Sequence, residues 1–195
     1  MENTLLFEKY KKGEHWKNHP VDYSERFSRF LKKSSFRGLL VDLGCGYGRD
    51  VNIFSKNRIN VLGIDISKKK IDKAKHKYPY LNFEVQDIEN LRLKDESVSA
   101  FFMINVIHYL GEERGISEIL RTLKTGGYLF IHFNLLIEDE KGQVDYKKDE
   151  KEILQLFSDF KIIEKRIIYR LDKFPFLHKH KILELILQKS KKTYK

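Results

Sequence analysis

Residues 39–48 read LLVDLGCGYG, and this stretch decides the fold. The apolar run predicts a buried β-strand, and the three glycines after Asp42 predict a tight turn. Residues 50–56 follow with apolar side chains at helical spacing, so the strand leads directly into a helix. Glycines in such a turn let a ligand approach the main chain closely, because they carry no side chain.

The same alternation of strands and helices extends along the chain. Apolar runs predict further strands at 61–64, 81–85, 98–104, 128–133, 160–169 and 181–188. Helical spacing predicts helices at 21–33, after the N-cap Ser67, at 112–123 and at 149–157. This order predicts an α/β fold, a doubly wound Rossmann-like and mostly parallel seven-stranded sheet with an antiparallel edge strand.

The length of 195 residues suits one domain with a substantial core. We expect an N-terminal helical cap or lid segment over 1–37, the main domain over 38–190 and a basic tail over 191–195. The net charge of +10 is concentrated at the two ends, since residues 41–160 carry a net charge of −2. A lysine-rich solvated surface is the favoured interpretation, and attraction of RNA is the alternative.

Several classes of protein are excluded by what the sequence lacks. The single cysteine, Cys45, excludes an internal disulfide framework. No apolar stretch approaches the ~20 residues of a membrane helix, and the first residues do not resemble a secretion signal, so a cytoplasmic protein is expected. His178 and His180 share a strand face, but no carboxylate partner is evident, and no metal site is predicted.

Acidic side chains follow the first three predicted strands. Asp42 precedes the glycine turn, Asp65 comes 23 residues later, and Asp87 follows the third strand. Ligands of open parallel sheets bind at the carboxyl ends of the strands, where these side chains meet. A carboxylate at the position of Asp65 can accept hydrogen bonds from ribose hydroxyls, so the pattern predicts a nucleoside slot.

The motifs in this order resemble those of class I S-adenosylmethionine-dependent methyltransferases. The matching stretches are VDLGCGYGRD (41–50), GIDIS (63–67), VQDIENL (85–91), VSAFFMINVIHYL (98–110) and LRTLKTGGYLFIHF (120–133). The resemblance implies S-adenosyl-L-methionine as cofactor and methyl transfer as activity. A nicotinamide dehydrogenase is disfavoured, because Arg49 stands where its glycine pattern needs a third small residue.

The resemblance also implies a set of cofactor-binding residues. They are Asp42, Gly44, Cys45, Gly46, Asp65, Ile66, Asp87, Ile88 and Asn105. The glycine loop would border the methionine portion, with Asn105 near it, and Asp65 would bind the ribose hydroxyls. Asp87 would meet the adenine amino group, while Ile66 and Ile88 would lie against the ring.

The catalytic group and the methyl acceptor are less constrained. His108 is a candidate general base, because its unperturbed pKa lies near neutrality, and simple packing is the alternative. Aromatic and histidine residues over 10–23 predict a lid, with packing of the first helix as the alternative. A small metabolite is the favoured acceptor. A tRNA or rRNA is the alternative, because VIHYL (106–110) resembles tRNA wobble-uridine methyltransferases, and a non-catalytic cofactor-binding scaffold is a third possibility.

Overall fold

The computed structural model describes residues 22–107, 112–173 and 177–190. Five helices lie in these ranges: α1 (Tyr23–Lys33), α2 (Arg49–Lys56), α3 (Lys68–Lys77), α4 (Glu112–Thr122) and α5 (Glu150–Leu156). The strands there are β1 (Leu39–Leu43), β2 (Asn60–Asp65), β3 (Asn82–Val85), β4 (Val98–Ile104), β5 (Leu123–Asp139), β6 (Val144–Lys147), β7 (Phe160–Asp172) and β8 (His178–Lys189).

The main sheet has the strand order β3-β2-β1-β4-β5-β8-β7. Strands β1 to β5 run parallel, whereas β8 is antiparallel to both β5 and β7. The predicted doubly wound, mostly parallel sheet is therefore confirmed, with the last two strands paired antiparallel at one side. Strand order reverses between β1 and β4, which places the ligand-binding crevice beside the end of β1.

Strand β5 is much longer than the predicted 128–133. It continues past His132, the register partner of the last β4 residue Ile104, as far as Asp139. The extension is stabilised on both sides, because β8 pairs along it and β6 occupies the edge that β4 has left. The long β5–β8 pair thus projects the sheet beyond the carboxyl end of β4.

Helices cover both faces of the sheet. On the face covered by α1, α2 and α3, the aromatic rings of Phe27, Phe54, Phe102 and Phe130 pack with centroids 4.9 to 6.4 Å apart. Helices α4 and α5 cover the opposite face, whose buried side chains are mostly aliphatic with four phenylalanines among them. Burying each such side chain contributes about 1.5–3 kcal/mol, so these layers fix the strand ends in place. Among the described helices, none has the length and apolar character needed to cross a membrane.

Gly63 is needed where β2 packs between β3 and the first turn of α2. A Cβ at this position would lie 2.7 Å from Phe83, 2.8 Å from Val51 and 2.9 Å from the Cys45 sulfur. We expect Gly63→Ala to lower the free energy of unfolding by about 1–3 kcal/mol through overpacking. Urea denaturation checks this, with the exposed strand substitution Lys161→Ala as the control. Equal stability of the two variants would contradict the packing argument.

Candidate active site

The glycine loop between β1 and α2 folds back onto the end of β2. The backbone N–H groups of Gly44 and Cys45 both donate to the Ile64 carbonyl, at 2.7 and 2.9 Å. Gly44 has a φ of +72°, and a Cβ there would lie 2.4 Å from Val106 after β4. Only glycine fits this conformation and this close approach without strain.

Gly46 differs from Gly44 in facing open space. Its φ is +56°, and no described heavy atom lies within 4 Å of where its Cβ would be. Its backbone N–H donates to the Asp65 carboxylate at 3.0 Å. The loop therefore presents bare main chain to an open space beside a carboxylate, which is the surface that a nucleoside ligand requires.

Asp65 holds two loops together at the end of β2. Its Oδ2 accepts the Gly46 N–H, and its Oδ1 accepts the Ser67 N–H at 2.8 Å. The residue is 4% exposed, and the Lys70 ammonium lies 3.7 Å from Oδ2. Each carboxylate oxygen has a second lone pair, so Asp65 retains capacity for hydroxyl donors while it fixes the loop.

Asp42 lies under the glycine loop and is almost fully buried. It is 3% exposed, and its Oδ2 has no hydrogen-bond partner among the described residues. Burial raises the pKa of Asp42 well above its usual range, and the nearby Asp50 and Asp65 carboxylates add to the rise. A buried carboxylate without a partner is destabilising, so this position favours a cationic ligand beside it.

Cys45 contributes main chain to the loop rather than a reactive side chain. Its side chain is 8% exposed and belongs to the core cluster that includes Val51 and Phe83. Burial strongly raises the pKa of the Cys45 thiol, and the charges of Asp42 and Asp65 raise it further. The thiol therefore stays protonated at neutral pH and is not a nucleophile.

The remaining predicted contacts follow β2 and β3. Ile66 is 69% exposed directly after β2, and Val85 at the end of β3 is 37% exposed, an apolar position that the sequence analysis did not single out. Asp87 is exposed, and its Oδ1 accepts the Glu89 N–H at 2.9 Å. Ile88 is almost entirely buried in the core cluster of the opposite sheet face. Only its edge is available to a ligand.

Asn105 ends β4 in a conformation that is uncommon for a residue with a side chain. Its φ is +54°, which asparagine tolerates better than most residues. Its N–H donates to the His132 carbonyl at 2.8 Å, and its Oδ1 accepts from the Asn134 amide at 3.3 Å. This residue therefore connects the end of β4 to the extension of β5.

Beyond Asn105 lies a group of polar side chains, of which the sequence analysis had singled out only His178 and His180. It lies at the carboxyl end of β5, on the β7–β8 pair and on α1. The group, here called the β5–β8 polar network, comprises Tyr23, Arg26, His132, Asn134, Arg170, Asp172, His178, His180 and Glu184. The signal was available, because polar residues two apart within apolar strands share one face.

Glu184 is the centre of one half of this network. It accepts hydrogen bonds from Arg26 at 2.5 Å and from His132 Nδ1 at 3.2 Å. Burial raises the pKa of Glu184, but the bonds from His132 and Arg26 outweigh this and leave the pKa below its usual value. Burial lowers the pKa of His132, so the neutral imidazole donates its Nδ1–H to an ionised Glu184. His132 is 2% exposed, so this hydrogen bond lies in the interior of the protein.

Asp172 occupies the other half of the network. Its Oδ2 lies 3.1 Å from His180 Nε2 and 3.8 Å from His178 Nε2. The expectation that these histidines have no carboxylate partner was therefore wrong. Asp172 stands opposite His178 in the β7–β8 register, a pairing that the sequence does not reveal without the strand alignment.

Two sequence predictions lie outside the described residues. They are the general-base candidate His108 and most of the lid segment over 10–23. Of that segment, Tyr23 is described, and its ring packs 4.1 Å from the His132 ring. Both the general base and the lid remain predictions.

The strand order defines a Rossmann-like fold, with Asp65 at the end of β2 and Asp87 beyond β3. A family model described as a methyltransferase domain matches residues 41–131. A ubiquinone/menaquinone biosynthesis C-methyltransferase from Campylobacter jejuni is 30% identical over 112 residues, or 53% of this chain and 46% of that protein. A protein named "Probable tRNA methyltransferase 9B" from Bos taurus is 30% identical over 113 residues, or 55% of this chain and 24% of that protein.

Solved structures share the fold over most of the chain. A SAM-dependent methyltransferase from Methanosarcina mazei superposes with a TM-score of 0.67 at 22% identity, covering 82% of this chain and 97% of that one. A protein from Pyrococcus horikoshii has a TM-score of 0.66 at 17% identity, covering 91% and 99%. Residues 41–131 are just under half of this chain, and over that part it resembles the class I S-adenosylmethionine-dependent methyltransferases. It spans less than half the length of the two curated relatives just described.

Because the pKa of Asp42 is raised, replacing its carboxyl by a neutral amide should stabilise the folded protein. The folded state binds the Asp42 proton more tightly than the unfolded chain does. The resulting contribution to the free energy of unfolding is present in full below the ordinary pKa of about 3.9, and it is lost as the pH rises through the raised value. We expect Asp42→Asn to raise the free energy of unfolding at neutral pH by about 1–3 kcal/mol. Urea denaturation across pH measures this effect.

The exposed carboxylate Asp72 on α3 provides the control. Asp72→Asn should leave the free energy of unfolding within about 0.5 kcal/mol of the wild type at all pH values. A destabilised Asp42→Asn variant at neutral pH would show that this carboxyl is ionised and well stabilised in the folded state.

Proposed function

We propose that this chain catalyses methyl transfer from S-adenosyl-L-methionine to a small-molecule acceptor. The observation that carries the proposal is the juxtaposition of Gly46 and Asp65: the loop faces open space at Gly46, while the buried Asp65 carboxylate accepts its N–H. This pair would hold the ribose, and the exposed Ile66 and Val85 would provide an apolar surface for the adenine. Asp87, exposed beyond β3, is available for the adenine amino group.

The cofactor, when bound, supplies an activated methyl group on a positively charged sulfonium. The residues of the chain therefore have to align and desolvate rather than to activate a nucleophile. The glycine loop provides a close main-chain surface, and a bound cation beside it would favour the ionised form of the Asp42 carboxyl beneath the loop. The protonated Cys45 thiol takes no part in the displacement, which leaves alignment as the main contribution of the loop.

The acceptor would bind on the side of Asn105 that faces the β5–β8 polar network. Asn105 is half-buried directly after β4, and the buried side chains of Asn134 and His132 lie behind it in the second half of β5. A few polar groups in an apolar surround are typical of small-molecule sites. The similarity to a quinone-pathway C-methyltransferase also supports a small acceptor. A cytoplasmic location is proposed with this function.

A tRNA acceptor is the second candidate, and a basic groove favours it. A cavity of about 240 Å³ lies between α1 and the β8–β7 strands, and its lining includes the basic Arg26, Arg29, Lys33 and Arg166 and the acidic Glu164 and Glu184. Arg26 is already paired with Glu184. The other guanidinium and ammonium groups of the lining are of the kind that commonly contacts phosphates. The similarity to a tRNA methyltransferase relative supports this candidate as well.

Cofactor binding can be tested with two glycines in matched environments. Gly46 and Gly126 have φ angles of +56° and +80°, and neither has a described heavy atom within 4 Å of its missing Cβ. We expect Gly46→Val and Gly126→Val to lose similar stability from the left-handed backbone. Only Gly46→Val should bind the cofactor at least about tenfold more weakly in calorimetry, because its side chain fills the proposed slot. Equal affinities would remove the glycine loop from the binding site.

The acceptor class can be tested with cofactor labelled in its methyl group. The purified chain is incubated separately with an RNA-free metabolite extract and with total tRNA. We expect label in the metabolite fraction and no tRNA retained at physiological ionic strength. Label in tRNA, with affinity falling steeply as salt increases, would favour the second candidate, because released counterions give that dependence.

Groove variants separate the two acceptors further. Arg29→Ala and Arg166→Ala should leave metabolite methylation unchanged but weaken any tRNA binding, relative to the exposed control Lys161→Ala. Cofactor binding without a labelled product in either fraction would contradict the proposed transfer and support a non-catalytic scaffold.

A further inference from the structure

Three metal-ligand side chains meet at the end of the β7–β8 pair. Asp172 and His178 are register partners, and His180 lies on the same face two residues further along β8. All three are 3% exposed or less, whereas Lys179 between the histidines points to solvent. One ligand atom from each residue lies within 4.8 Å of the other two.

The orientation of the His180 ring is fixed by a second layer of contacts. The Asn134 amide donates to Asn105 Oδ1 at 3.3 Å, so the Asn134 carbonyl oxygen faces His180 Nδ1 at 2.8 Å. A carbonyl oxygen accepts only from a protonated nitrogen, so Nδ1 carries a proton, and in a neutral ring Nε2 then carries none. Orientation of a ligand histidine by a hydrogen bond at its other nitrogen is typical of metal sites.

This tautomer brings two electron-pair donors face to face. In the neutral ring, the unprotonated Nε2 of His180 lies 3.1 Å from Asp172 Oδ2, and two lone pairs at that distance repel unless a cation, either a metal ion or a proton, lies between them. A second imidazole nitrogen, His178 Nε2, lies 3.8 Å from the same oxygen. Ligand atoms around a tetrahedral zinc ion are ~3.3 Å apart, given bonds of about 2.0–2.1 Å, and the observed separations bracket that value.

Asp172 also carries a hydrogen-bonded partner of its own. The Arg170 guanidinium donates to Oδ2 from Nε at 3.1 Å and from Nη2 at 2.9 Å. A carboxylate has about four lone-pair positions, two on each oxygen, so these bonds occupy Oδ2 and leave capacity for a metal ion at Oδ1. Hydrogen bonds to a ligating carboxylate are common in the outer layer of metal sites.

We propose that Asp172, His178 and His180 bind one divalent transition-metal ion, with zinc as the best match. Two imidazoles and one carboxylate favour zinc and its first-row neighbours over magnesium or calcium. The ion ties together the two strands where they enter the connection over 173–177, and it stabilises the β7–β8 hairpin. A fourth ligand position is left to water. This inference goes beyond the proposed methyl transfer and does not depend on it.

The test uses the full-length chain, stripped of metal with a chelator and titrated with Co²⁺ and then Zn²⁺. We expect one equivalent of Co²⁺ to bind with the visible absorption of low-coordinate cobalt, and Zn²⁺ to displace it. Zn²⁺ should also raise the thermal midpoint, because a ligand that binds only the folded state stabilises it. A folded wild-type chain without saturable, stoichiometric binding of either metal overturns the proposal.

Variants locate the site on the hairpin. His178→Ala and His180→Ala should each weaken Co²⁺ binding by more than about tenfold, and Asn134→Ala should weaken it by about 10–100-fold through loss of ring orientation. Lys179→Gln, between the two ligands, and His76→Gln, an exposed histidine on α3, should bind as the wild type does. Folded His178→Ala and His180→Ala variants that retain wild-type affinity would contradict the assignment.

If these variants do not fold, a measurement on the wild-type protein tests the proposed metal site. The ¹⁵N resonances of the His180 ring should show a protonated Nδ1 and a metal-bound Nε2 after Zn²⁺ is added. A ring protonated at both nitrogens under the same conditions would mean that a proton, rather than a metal ion, bridges His180 to Asp172, and it would overturn the proposal. Calorimetry with S-adenosyl-L-methionine on the same samples reports separately on the cofactor site.

Discussion

The carboxylate of Asp65 is the contact on which the site depends. It accepts the N–H of Gly46 from the loop after β1 and the N–H of Ser67 from the turn before α3. These two bonds join segments that the parallel sheet alone brings only to neighbouring positions. Since carboxylates form stronger hydrogen bonds with N–H groups than neutral acceptors do, one buried side chain sets the shape of the loop before any ligand arrives.

Asp42, which lies beneath that loop, lowers the stability of the fold but favours ligand binding. Within the described part of the chain, one oxygen of the buried Asp42 has no hydrogen-bond partner, an arrangement that costs folding free energy. The same carboxyl complements a ligand that carries positive charge, so the cost and the benefit arise from one group. Structural strain of this kind is concentrated at functional sites, where it prepares the protein for its ligand. The left-handed Asn105 at the end of β4 is a second example beside the same crevice.

The sequence predicted the order of strands and helices, but it did not predict the length of β5 or the polar contacts on the β7–β8 pair. Strand β4 was predicted with its bounds, because seven successive residues, six of them apolar, suit a strand buried on both faces. The length of β5 was underestimated, since its extension depends on pairing with β6 and β8, which are distant in sequence. The proximity of Asp172 to His178 and His180 was missed for the same reason. Register between strands is set by tertiary packing, and one chain alone does not display it.

The single cysteine makes opening of the glycine loop measurable. Cys45 sits in the glycine loop with a thiol that burial keeps protonated, so alkylating reagents meet it only when the loop opens. Because the chain contains no second cysteine, every modified molecule reports on that one position. The rate of thiol labelling therefore measures how often the loop opens, and no engineered reporter is needed.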